Sequence, residues 1–159
     1  MNTSSLKYPK SPVWAFPKVE SLPAFFRALE CLSDSKCFIC LEVPVDELIF
    51  TPSFKLIVAS NVPVAKKHTN WLETSLLPIA INRISIETLV FIAKDILSRH
   101  SIYHITVYNS ELEVLINAPD YFSIPYHVSS TAPEALIRGI TEISQSKPEL
   151  LHGVYSSCQ

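Results

Sequence analysis

Cys37 and Cys40 are the first residues whose type and spacing could do chemistry, because a C-x-x-C can hold a metal ion or cycle between thiol and disulfide. Redox pairs of this spacing sit at a helix N-terminus, where the dipole lowers a thiol pKa. Here the pair falls inside residues 36–43, Lys-Cys-Phe-Ile-Cys-Leu-Glu-Val, which read as a strand. Residues three apart on a strand point to opposite faces, so the two thiols diverge and cannot chelate one ion. Zinc would need two further ligands. Cys31 and Cys158 are candidates, but no second C-x-x-C accompanies them. Buried, inert thiols and no metal are therefore expected.

The histidines are His68, His100, His104, His127 and His152, and none forms an H-E-x-x-H. His100 and His104 are four apart, but the helix that would align them ends between them. His104 shares a strand face with Thr106 and Tyr108. A satisfied structural or surface histidine is the commoner fate, with general-base work as the alternative. Among the acidic pairs are Asp46-Glu47 and Glu111/Glu113. The latter two read as the wet face of a hairpin, opposite Leu112 and Val114. The segment 120–127 combines Asp120, Tyr121, Phe122, Pro125, Tyr126 and His127. Aromatics beside a carboxylate and an imidazole, on a proline-limited backbone, suit a contact surface. The bland alternative puts Phe122 and Ile124 in the core with the tyrosines shielding it.

Composition excludes more than these motifs suggest. Lys plus Arg number 13 against 15 Asp plus Glu, a net charge of −2, and the one basic cluster is Lys66-Lys67-His68. Nucleic-acid binders concentrate cations to neutralise phosphate, so no nucleic acid is expected. A membrane-spanning helix needs roughly 20 apolar residues, and stretches such as 76–81 are far shorter. No apolar signal segment follows Lys7 and Lys10, so a cytoplasmic protein is expected. Only Gly139 and Gly153 are glycines, against an average near about 7%. The phosphate-cradling loops and the nucleophile elbow all need glycine and are absent, so no nucleotide cofactor is expected. Twelve prolines, with Asn and Asp, must supply most turns.

The elements that would position these residues follow from periodicity and punctuation. Residues 1–20 read as an extended N-terminal arm, since Pro9, Pro12 and Pro17 disfavour helix and strand alike, although Trp14 and Phe16 should pack on the domain. Residues 21–159 read as one α+β domain. Ser21 caps a helix over 21–33 with a stripe of Leu22, Phe25, Phe26, Leu29 and Leu32. The strand over 36–43 is apolar enough to be covered on both faces. A second strand is expected over 54–59, and a short helix from the capping-box pattern Asn70 to Glu73, ending before Pro78. Ser85 caps a central helix to His100, with Ile86, Leu89, Val90, Ala93, Ile96 and Leu97 facing inward, widened by Phe91 and Ile92. A hairpin turns at Asn109-Ser110 between strands 103–108 and 111–117. Thr131 caps a last helix through Leu136, Ile137, Ile140 and Ile143, and an edge strand or tail follows Pro148.

This order lacks regular β-α-β alternation. It predicts an α+β fold: an antiparallel or mixed sheet with about three main helices packed mostly on one face. With 48% hydrophobic and 18% charged residues, an apolar face could be left for a partner. The function expected is a non-catalytic protein-binding module of the inhibitor, immunity or adaptor kind. Its partner would be another protein, a basic one suiting the mild acidity, and its contacts would be Asp120, Tyr121, Tyr126 and His127, with Glu111 and Glu113 steering. The alternatives are a small cofactor-independent hydrolase or transferase and an apolar small-molecule-binding domain. A pocket with two convergent titratable groups would favour the enzyme, and a deep dry pocket the ligand binder.

Overall fold

Ser21, itself in an extended conformation, starts a helix. Its Oγ accepts from the Ala24 N–H at 3.3 Å, and Pro23 occupies the first turn, where a missing N–H costs nothing. This helix, α1 (Leu22–Ala28), tightens into a 3₁₀ turn over Leu29–Leu32, and the five expected stripe residues are all buried. The structure is a computed structural model that describes residues 6–9, 12–17, 21–44, 52–59, 74–95, 102–119, 125–144 and 147–152. Its other helices are α2 (Pro52–Ile57), α3 (Arg83–Asp95) and α4 (Glu134–Ser144). Its strands are β1 (Val13–Phe16), β2 (Cys37–Pro44), β3 (Thr74–Ala80), β4 (His104–Asn109), β5 (Val114–Pro119), β6 (Tyr126–Ser129) and β7 (Glu149–Leu151).

The strands form one sheet in the order β3-β2-β4-β5-β6-β1-β7, every neighbouring pair antiparallel. Ile39 lies opposite Ile79 and Val107, and Leu41 opposite Leu77 and Ile105. These side chains, with Ile116 and Val128, make one core with α1, α3 and α4. α1 packs against both α3 and α4, and α2 lies beside α3. The fold is thus the expected α+β class, with the helices sharing one sheet face. On the other face Cys40, Tyr108 and Val114 form a smaller cluster against Leu6, Tyr8 and Phe38. Phe38 and Tyr108 place their ring centroids 5.7 Å apart.

Several elements depart from the sequence reading, each for a physical reason. Residues 52–57 are helical; Pro52 opens α2 rather than bounding a strand, and only Val58 bridges to Ile79. Pro78 sits inside β3 rather than beyond a helix, which an edge strand permits, and the expected cap at 70–73 lies outside the described residues. Asn82, not Ser85, caps α3: Asn82 Oδ1 accepts from the Ser85 N–H at 2.9 Å while Ser85 Oγ accepts from the Asn82 N–H at 3.0 Å. Ile96 and Leu97 lie outside the described residues, and Phe91 faces outward instead of widening the core stripe. The arm expected over 1–20 is in part β1, paired on both sides with β6 and β7.

The hairpin has no wet face, because β4 and β5 are buried on both sides almost throughout. Glu111 and Glu113 stand instead at its exposed turn. Asn109 holds that turn together. Its Oδ1 accepts from the N–H groups of Glu111 and Glu113, both at 3.0 Å, and its Nδ2 donates to Glu113 Oε2 at 3.0 Å. In a chain this poor in glycine, Lys36 (φ 48°) and Leu112 (φ 67°) occupy left-handed positions, a strain of roughly 1–2 kcal/mol each.

Candidate functional site

Among the described residues, those expected to carry function scatter rather than converge. Asp120 and Tyr121 lie outside the described residues. Tyr126 is a core residue: its ring stacks on Phe16 (centroids 5.6 Å) and meets Phe25 edge-on (6.0 Å), and burial holds its phenol far above the usual range. It cannot serve as a contact in this fold. His127, its neighbour, points to the opposite sheet face. It is half-buried there between the backbone partners Asn117 and Ala15, and that burial lowers its imidazole pKa. Glu111 and Glu113 are exposed, as steering groups must be.

The C-x-x-C is divided as the strand geometry requires. Cys37 belongs to the helix-side core and Cys40 to the cluster on the other face. Burial pushes the Cys37 thiol up, with the nearby Cys31 adding to it, so neither chelation by the pair nor ready thiolate formation is available.

A row of polar side chains crosses the second sheet face that the sequence reading did not assemble. Glu42 lies opposite His104 across β2 and β4, Thr106 opposite Asn117 across β4 and β5, and Asn117 opposite His127 across β5 and β6. His104 Nε2–H donates to Asn117 Oδ1 at 2.7 Å, and Thr74 Oγ1 donates to Glu42 Oε1 at 2.8 Å. Acid–base chemistry needs groups that a substrate can reach, and these cannot be reached: His104 is 4% exposed and Glu42 1%. The row is a polar layer within the sheet, hydrogen-bonded at Glu42, His104 and Asn117, while the buried Thr106 Oγ1 has no partner among the described residues. Its signal in the sequence is Glu42 itself, a carboxylate inside an otherwise apolar strand, since a buried charge persists only when partnered.

A shallow recess of about 210 Å³ opens between the N-terminal segment and the hairpin end, against Lys7, Tyr8, Pro9, Glu113 and Ser129. Its charged groups, Lys7 and Glu113, are both exposed, without the burial on which acid–base pairs rely. Among the described residues no three His, Cys, Asp or Glu side chains gather as metal ligands, and no helix is long and apolar enough to cross a membrane.

The outer face of α3 is different. Ile84 is 75% exposed and Phe91 59%, seven residues apart and so on one row of the helix, and Leu56 on the adjacent α2 is 85% exposed. The opposite face of α3, with Ile86, Leu89 and Ile92, is fully buried. Apolar periodicity alone does not reveal this row, because it counts Phe91 in an unusually broad inward stripe. The breadth was itself the signal, since one sheet can cover only part of a helix.

No protein-family model, curated protein or solved structure matches this chain.

Proposed function

We propose that this chain is a non-catalytic protein-binding module of the inhibitor, immunity or adaptor kind, whose contact surface is the outer face of α3 and α2. The observation that carries the reading is Phe91, left 59% exposed on a row with Ile84 while the opposite face of its helix is core. Burying a large apolar side chain is worth about 1.5–3 kcal/mol, which the isolated fold forgoes here and a partner can recover. Arg83, Glu87 and Lys94 are exposed along the same helix and supply a polar rim. Glu111 and Glu113 favour approach of a basic partner. The hydrolase and transferase alternatives are weakened because His104 and Glu42 are sealed within the sheet. An exposed Cys31 thiol fits a reducing compartment, so we place the protein in the cytoplasm.

The test compares partner retention by the immobilised full chain, by the Ile84→Ser/Phe91→Ser variant, and by the Asp120→Ala/Tyr121→Ala variant. Retention should be lost with the first variant and kept with the second. Retention kept with both overturns the surface assignment, and a wild-type chain that retains nothing overturns the reading.

A further inference from the structure

The exposed row of α3 carries a charge pattern that suits one occupant. Glu87 and Lys94 are seven residues apart, so they lie on one flank of the Ile84–Phe91 row. Both are exposed, and among the described residues neither forms an ion pair. Their midpoint falls between residues 90 and 91. At a rise of about 1.5 Å per residue, Phe91 lies within about 1 Å of that level. In an antiparallel pair of helices related by a two-fold axis, the same flank of each helix faces its counterpart with the direction reversed. A two-fold axis at this midpoint therefore sets Glu87 against Lys94 of the other helix, twice, and brings Phe91 against Phe91. A parallel pairing would put this flank of the two helices on opposite sides of the seam, where Glu87 and Lys94 could not pair with each other.

We propose that the outer face of α3 pairs with the same face of a second copy of this chain, antiparallel, with Phe91 at the two-fold axis between two Glu87–Lys94 ion pairs. The proposal rests on the reading of this face as a contact surface and names its occupant. A net charge of −2 opposes self-association little. One helix from each copy falls short of the roughly 1,200 Å² that stable interfaces bury, and Leu56 on α2 extends the apolar area. The association is accordingly weak and reversible, and it competes with any other protein that uses Phe91.

Sedimentation equilibrium of the full chain, from micromolar to several hundred micromolar, reads this directly. The wild type should show a reversible monomer–dimer equilibrium, and Phe91→Ser should stay monomeric. Lys94→Glu should raise the dissociation constant about ten-fold, since two favourable pairs become repulsive. The double swap Glu87→Lys/Lys94→Glu should bring it back towards the wild-type value. All these positions are exposed, so circular dichroism should show each variant folded. A wild type monomeric throughout overturns the proposal, as does a dimer indifferent to Lys94→Glu or a double swap that fails to recover. A monomer that still captures a different protein through Phe91 sinks the self-pairing but leaves the protein-binding reading standing.

Discussion

His127 shows how burial alone writes a pH dependence into the fold. Its imidazole is half-buried on β6, and desolvation disfavours the charged form, so its pKa in the folded chain lies below the ordinary 6.5. The unfolded chain then binds the proton more readily. Stability from this group is fully present above pH 6.5 and is lost as pH falls through that value towards the lower folded pKa. Urea titrations at pH 7.5 and pH 5.5 should show a lower midpoint at the acidic pH, and His127→Gln should reduce the difference. An unchanged difference would place the titrating group elsewhere. At this scale the sequence was legible for single residues and illegible for pairs. That His104, Thr106 and Tyr108 share a face follows from strand alternation. That Asn117 meets His104 depends on the register shift between β4 and β5 at Val107/Tyr108, which no local pattern announces.

Within α3 the same apolar chemistry has two destinations, and a pair of substitutions separates them. Leu89 is fully buried in the main core, so Leu89→Ala removes contacts that the neighbours cannot replace and should cost about 2–5 kcal/mol. Phe91→Ala, two residues on, should cost less than about 0.5 kcal/mol because its ring already meets water. Chemical denaturation of the two variants checks this, and a large loss at Phe91 would mean that the ring supports the fold. Periodicity identified this helix and α1 because apolar spacing over three turns has few other readings. It failed over 54–59 and at β3, where a run with proline at its margin or centre fits helix, strand or loop equally well. Pro78 is tolerated in β3 because that strand is an edge, a property set by the whole sheet rather than by its own residues.

Across the whole molecule, the least expected feature is that the N-terminal residues complete the sheet. β1 fills the place between β6 and β7, pairing Trp14 with Val128 on one side and Leu150 on the other. Phe16 is buried against Tyr126. Three prolines in twenty residues argued for an extended arm, and an extended backbone is what a strand requires. What the sequence could not show is that β6 and β7, one on either side of α4, leave a strand-wide gap that only a distant segment can fill. Removing residues 1–17 should therefore do more than trim a tail. It would strip β7 of the strand it pairs with, unpair one edge of β6, and uncover Tyr126. The truncated chain should lose cooperative unfolding, read by circular dichroism and near-ultraviolet signal together. Phe16→Ala, a smaller change at the same place, should cost about 3–5 kcal/mol while keeping the transition cooperative. If the truncated chain unfolds at the same urea concentration as the full chain, β1 is an appendage and the sheet is complete without it.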